Sequence, residues 1–147
     1  MVSACLLGLP TRYDGKAKGV EKVVSLSKKF VLVPFCPEQL GGLPTPRPRS
    51  EIRDDKVINE LGEDVTENFR RGAKISLDIA RIVKPCAIIL KSKSPSCGLR
   101  KVYDGTFSGK LVSGVGVAAA LLREHGYRLI TEEDLLNDLP LCEGLLQ

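Results

Sequence analysis

Residues 30–35 read FVLVPF, apolar at every position. A strand with one face in water alternates apolar and polar side chains. A run without alternation belongs to a strand covered on both sides, as in a parallel sheet with crossover helices above and below. Such a sheet needs other parallel strands and helices to connect them, and the chain supplies both. VSACLL (2–7) reads as a first buried strand ended by Gly8 and Pro10, and CAIILK (86–91) and YRLI (127–130) as the third and fourth. Val20, Val23, Val24 and Ser27 share a helical face within 18–29, closed by Lys28 and Lys29. Val65, Phe69, Ala73, Leu77 and Ala80 form a second stripe, opened by an Asp64/Glu67 capping box and stopped at Lys84 by Pro85. Ser113 is positioned to cap a third helix through GVGVAAALLREHG, with Gly126 as its C′ residue, and Thr131 with Asp134 opens a short last one. Residues 37–55, dense in Pro, Gly and Arg, read as a long surface loop.

The alternation predicts a single α/β domain over 1–147, with a C-terminal tail from about 137. Its Rossmann-like sheet is mostly parallel, four- or five-stranded, in the order 2-1-3-4. A chain of 147 residues can bury about 68% of its unfolded surface in one such unit. No apolar stretch approaches a membrane span, and the N-terminal MVSACLLGLP lacks the basic flank of a signal peptide, so a cytoplasmic protein is expected. A net charge of +4 without a basic run fits a small anionic ligand better than a nucleic-acid surface.

Five cysteines, an odd number, argue against a disulfide framework. With a single histidine, His125, metal sites built on several imidazoles are excluded. In a parallel sheet the loops leaving the carboxyl ends of the strands gather along one edge, where α/β proteins hold ligands. Cys5, Cys36 and Cys97 all belong to that edge. Cys86 begins the third strand and so faces the other edge, and Cys142 lies in the tail; both read as packing thiols. Three thiolates without imidazole select zinc or an iron–sulfur cluster, and spacing alone does not separate these. Structural zinc normally takes a fourth ligand, so three leave an open coordination position.

SACLLG with RYDG, PFCPEQLGGLPTPR, GEDVT, ILKSKSPSCG with VYDGTFSG, and GVGVAAALL together resemble the thiouracil desulfidase (TudS) family over almost the whole chain. The resemblance implies a [4Fe-4S] cluster on Cys5, Cys36 and Cys97, whose fourth iron takes sulfur from thiolated uracil compounds without redox chemistry, leaving the oxo base and sulfide. Its implied substrates are thiouracil or 4-thio-UMP. Many relatives carry a further cysteine where this chain has Thr11. Relatives acting on intact tRNA resemble longer chains with an added domain, so intact tRNA is not expected as a partner here.

Exchanging C=S for C=O needs a group to move protons. Glu38, two residues after Cys36, suits this, because a carboxylate in a partly closed site can have its pKa raised; in the family pattern this glutamate looks catalytic. The resemblance also makes either Ser94 or Ser96 catalytic. Arg47, Arg49 and Arg53 can hold a phosphate through forked hydrogen bonds, and the amides of Gly114 and Gly116 at a helix start can bind an anion. Tyr13, Asp14, Tyr103 and Asp104 stand in two similar YDG turns that can line the pocket, while His125 caps a helix end. The competing reading is a zinc- or thiol-containing module that binds a nucleotide-like ligand without turnover.

Overall fold

The computed structural model of the chain describes residues 1–136, and the reading of Cys142 and of the tail falls outside them. Four parallel strands make the central sheet: β1 (Val2–Ser3), β2 (Pro34–Phe35), β5 (Ile88–Leu90) and β8 (Leu129–Thr131), in the order β2-β1-β5-β8. These are the four expected strands in the expected order. Between them run α1 (Glu21–Val24), α2 (Pro37–Leu40), α3 (Thr66–Val83) and α4 (Val117–Glu124), and α5 (Glu132–Leu136) follows β8.

The elements are shorter than their apolar runs. The first strand ends at Ser3, where Ala4–Leu7 tightens into a 3-10 turn, and the helix expected over 18–29 is one α turn followed by a 3-10 turn at Ser25–Lys28. FVLVPF is ladder-paired only at its last two residues, and Val31 is 92% exposed. That strand lies at the sheet's edge, so part of the run has no neighbour to cover it.

Two hairpins escaped the sequence reading. β3 (Ser50–Arg53) and β4 (Lys56–Asn59) pair antiparallel across Asp54 and Asp55, inside what reads as a loop. β6 (Lys101–Tyr103) and β7 (Leu111–Ser113) make the second, so Ser113 is a strand residue and caps no helix. Gly116 stands at the N-cap of α4 instead.

The stripe on α3 packs as its spacing predicts, with Val65, Phe69, Ala73, Leu77 and Ala80 all buried. Asp64 accepts from the amide of Thr66, but Val65 is the N-cap and carries no side-chain cap bond, and Glu67 pairs outward with Arg70, so the expected capping box does not form. Gly72 lets α2 lie directly on α3, because a Cβ there would collide with the Pro37 carbonyl. That close approach fixes the segment carrying Cys36 and Glu38 to the longest helix of the fold. At its far end α4 stops as expected: Gly126 takes φ +81°, and His125 Nδ1 lies 3.0 Å from the Leu121 carbonyl. Among the described residues no helix is long and apolar enough to cross a membrane.

Candidate metal centre

The carboxyl ends of β1, β2 and β5 open into a cavity of about 270 Å³ whose wall includes Cys5, Cys36 and Cys97. Each thiol is placed by a different local device. Cys5 rides on the 3-10 turn after β1, which Gly8 closes in the left-handed region at φ +88°. Cys36 is the extended residue at the start of α2, with Pro37 at the first helical position, where its missing N–H costs nothing. Cys97 sits in a turn whose own polar groups are consumed internally: Ser94 Oγ accepts from the amides of Ser96 (3.2 Å) and Cys97 (3.1 Å).

That turn is joined to the first turn of α4. The amides of Val117, Ala118 and Ala119 donate to the carbonyls of Pro95 and Ser96, and Gly116 donates to Gly98 at 2.7 Å. A Cβ on Gly116 would stand 2.6 Å from the Cys97 nitrogen, so only glycine admits the contact. The same bonds correct an expectation. Gly114 N–H goes to the Arg100 carbonyl and Gly116 N–H to Gly98, so neither amide is available for an anion. Gly116 lets the Cys97 turn seat, and Gly114 makes room for the Val102 side chain.

All three thiols are free, and burial governs their acidity. Burial pushes Cys5 up to about 11 and fully enclosed Cys97 up to about 12, the latter against hydrogen bonds from Ser3 and Ser96. Cys36 is raised as well, again chiefly by burial. Thiols held protonated in this way are poor nucleophiles at neutral pH. A metal removes such protons outright, so three thiols on one wall still fit ligation. Cys86, expected to be a packing thiol, is instead disulfide-bonded and takes no part in the cavity.

Beside Cys97 the structure joins Ser94, Ser96 and Glu38 into a hydrogen-bonded chain. Ser94 and Ser96 hydroxyls lie 3.0 Å apart, and Ser96 donates to Glu38 Oε2 at 3.1 Å. Glu38 Oε1 accepts from Arg47 Nε at 3.0 Å. Arg47 was expected to hold a phosphate. Its side chain is only 3% exposed, and its remaining donors go to the Pro44 carbonyl, Thr45 Oγ1 and the Thr11 carbonyl. A buried guanidinium must spend its N–H groups internally, so Arg47 orients Glu38 and the Thr11 carbonyl, to which the Cys36 thiol also donates at 3.8 Å.

Arg49 differs: it lines the cavity, its Nε has no hydrogen-bond partner, and its guanidinium lies 5.6 Å from the Phe107 ring centroid. Tyr13 and Tyr103 line the cavity as expected, but Asp14 does not; it accepts from the Lys16 amide and stands 3.6 Å from Arg12. Asp104 makes the same turn bond to Thr106, and Arg53 is tied to the Gly105 carbonyl. The sequence reading missed Ser3, Arg12, Lys91, Ser92 and Lys93, all on the cavity wall. Lys91 and Ser92 directly follow the third strand's apolar run and were legible by position, whereas Ser3 carries no local signal.

The family model for 2-thiouracil desulfurase matches residues 1–134. The uncharacterized protein YbbK of Bacillus subtilis (strain 168) is 44% identical over 149 residues, covering 95% of this chain and 98% of its own length. A solved [4Fe-4S]-dependent thiouracil desulfidase, TudS, superposes with a TM-score of 0.87 at 43% identity, over 92% of this chain and 91% of that one. Both relatives span nearly the full length of the chain, as does the family model, and the chain belongs to the 2-thiouracil desulfurase family.

Proposed function

We propose that the protein is a cytoplasmic desulfidase that exchanges the sulfur of a thiolated uracil for oxygen at an iron–sulfur cluster held by Cys5, Cys36 and Cys97. The observation that carries this reading is the presence of three free thiols, from three separate chain segments, on one cavity wall beside the Glu38–Ser96–Ser94 chain. A single ion bound at 2.3 Å would draw its thiolates to about 3.8 Å from one another. Among the described residues no three His, Cys, Asp or Glu side chains are grouped to hold one ion. A cubane accepts wider spacing than a single ion does, since each thiolate takes its own iron, and the likeness to a [4Fe-4S]-dependent thiouracil desulfidase favours the cluster over zinc.

When bound, such a cluster supplies a Lewis-acidic iron, free of a protein ligand, for the thione sulfur. The protons are handled by the chain. Glu38 Oε2 accepts a proton from the water whose oxygen bonds to the ring carbon. Ser96 keeps that oxygen of the carboxylate aligned. Ser94 is less buried than Ser96 and lies on the cavity wall; the turn engages its oxygen as an acceptor and leaves its hydroxyl proton to donate, so it is the serine placed to meet substrate. The proton held on Glu38 passes to the sulfur, the same carboxylate takes the remaining proton of the added hydroxyl as the carbonyl forms and the C–S bond breaks, and that second proton follows to the departing hydrosulfide, so the sum is thione plus water giving carbonyl plus hydrogen sulfide. No oxidant or reductant enters.

The cavity wall carries Arg12, Arg47, Arg49, Lys91 and Lys93 against Glu38. Arg49 has no carboxylate partner among the described residues, which favours an anionic substrate such as 4-thio-UMP over the neutral base. A cavity of about 270 Å³ is on the scale of one nucleotide.

The test is anaerobic cluster reconstitution followed by sulfide release from 4-thio-UMP and from 2-thiouracil. Turnover of either, with the nucleotide preferred, is expected. Glu38→Gln should lower kcat by about 10²–10⁴-fold with its iron retained. An iron-loaded protein that releases no sulfide from either compound would remove the assignment.

A further inference from the structure

We propose that Ser3 is a positioning residue for Cys97, its hydroxyl serving as the dedicated hydrogen-bond donor to that sulfur and thereby setting the electronics of the cluster. The inference rests on the cluster reading above. Ser3 ends β1, is 3% exposed, and places Oγ 3.5 Å from Cys97 Sγ.

Its orientation follows from where the strand stops. The Ile89 amide donates to the Met1 carbonyl, as a parallel ladder requires. Two residues on, the Lys91 amide donates at 3.0 Å to the Ser3 side-chain oxygen, and the β1 backbone turns away into the Ala4–Leu7 turn. Ser3 Oγ is thus an acceptor for β5, and its one proton has Cys97 as its partner.

Ser96 is the other hydroxyl near this sulfur, at 3.6 Å, but Glu38 Oε2 competes for the same proton at 3.1 Å. A donor engaged by Glu38 cannot serve the sulfur steadily, whereas Ser3 has no rival acceptor among the described residues. Hydrogen bonds to a ligating sulfur draw off electron density, raise the cluster's reduction potential and hold the ligand in place.

The experiment compares Ser3→Ala and Ser3→Thr with the wild-type full chain after anaerobic reconstitution, reading the cluster's reduction potential and the rate of iron loss to a chelator. The control is Ser76→Ala, another buried serine, whose hydroxyl bonds only the Gly72 carbonyl in α3. Ser3→Ala should lower the potential and weaken iron retention about 10- to 100-fold, as loss of an outer hydrogen-bond partner does. Ser3→Thr should restore both, and Ser76→Ala should change neither.

Wild-type potential and iron retention in Ser3→Ala would overturn the proposal, as would a shift that threonine does not restore. If Ser3→Ala holds no iron, its iron-free Tm decides. A value near that of iron-free Ser76→Ala assigns the defect to the metal site, and a collapse assigns Ser3 to folding and overturns the proposal. A wild-type chain that takes up no iron removes the cluster reading itself, an outcome distinct from all of these.

Discussion

The two edges of the sheet handle cysteine in opposite ways. At the carboxyl edge three thiols stay free among Ser, Glu, Arg and Lys side chains. At the amino edge a second cavity is lined by Met1, Val2, Phe30, Val31, Val83 and Ala87 among others, and Cys86 there is disulfide-bonded. The residue type is the same and the surroundings differ because of topology. Strands in a parallel sheet end together, so their exits gather turn residues and polar side chains, whereas the entries to the strands continue the apolar core. A thiol among hydroxyls and cations can be a ligand, while one at the apolar edge has only packing or another sulfur.

The comparison breaks most visibly at the cysteines themselves. Replacing Cys5, Cys36 or Cys97 with serine should abolish iron binding, from roughly four irons per chain in the wild type as a cubane requires. Cys86→Ser should keep its iron and lose stability instead, by the roughly 2–5 kcal/mol typical of a lost disulfide. Iron analysis with a melting curve on the four variants reads both. Iron retained in Cys97→Ser, or lost in Cys86→Ser, would erase the distinction between the edges.

Gly116 sharpens it at the level of backbone. Alanine there would push against the Ser96 carbonyl carbon and the Cys97 nitrogen, both backbone atoms that cannot swing aside. The expected cost is about 1–3 kcal/mol of stability, the range for forcing extra atoms into a packed site, together with faster iron loss. At the amino edge Val31, 92% exposed, should accept alanine within about 0.5 kcal/mol. Equal destabilisation at the two positions would mean that the Cys97 turn is not held by α4.

These positions also mark what could be read from the sequence. Strand order and the placing of three cysteines at one edge follow from apolar runs and helical stripes, which are long-range burial signals. Arg47 was misjudged for a physical reason: an arginine in a Pro-rich stretch looks solvated, and only the fold shows Glu38, Thr11 and Thr45 converging on it. Gly114 and Gly116 resembled an anion-binding helix start, but the amides were already taken by the Cys97 turn and by Arg100. The hairpin at 50–59 was missed because Glu51, Arg53 and Lys56 disguise its alternation. Glu51 is in fact 2% exposed and accepts from the Gly105 and Phe107 amides, linking the two hairpins. Ser3 is legible only once Lys91 and Cys97 are known to flank it.

The smallest expected effect concerns Glu132, just past β8 on the carboxyl edge. Burial works to raise its pKa, but donation from the Ser92 hydroxyl (2.7 Å) and amide (2.8 Å) and the Lys91 ammonium at 3.0 Å outweigh it, and the carboxyl is held below its ordinary value. The native state therefore binds this proton less readily than the unfolded chain. The resulting stability is present in full above the unfolded value of about 4.3 and disappears as pH falls through the folded one. Glu132→Gln should be less stable than wild type at pH 7, with the gap closing as pH falls below about 4.3, in urea titrations of the iron-free chain. A gap that stays constant into acid would show that Glu132 contributes shape and not charge, and Lys91 would then need another reason to stand at the cavity wall.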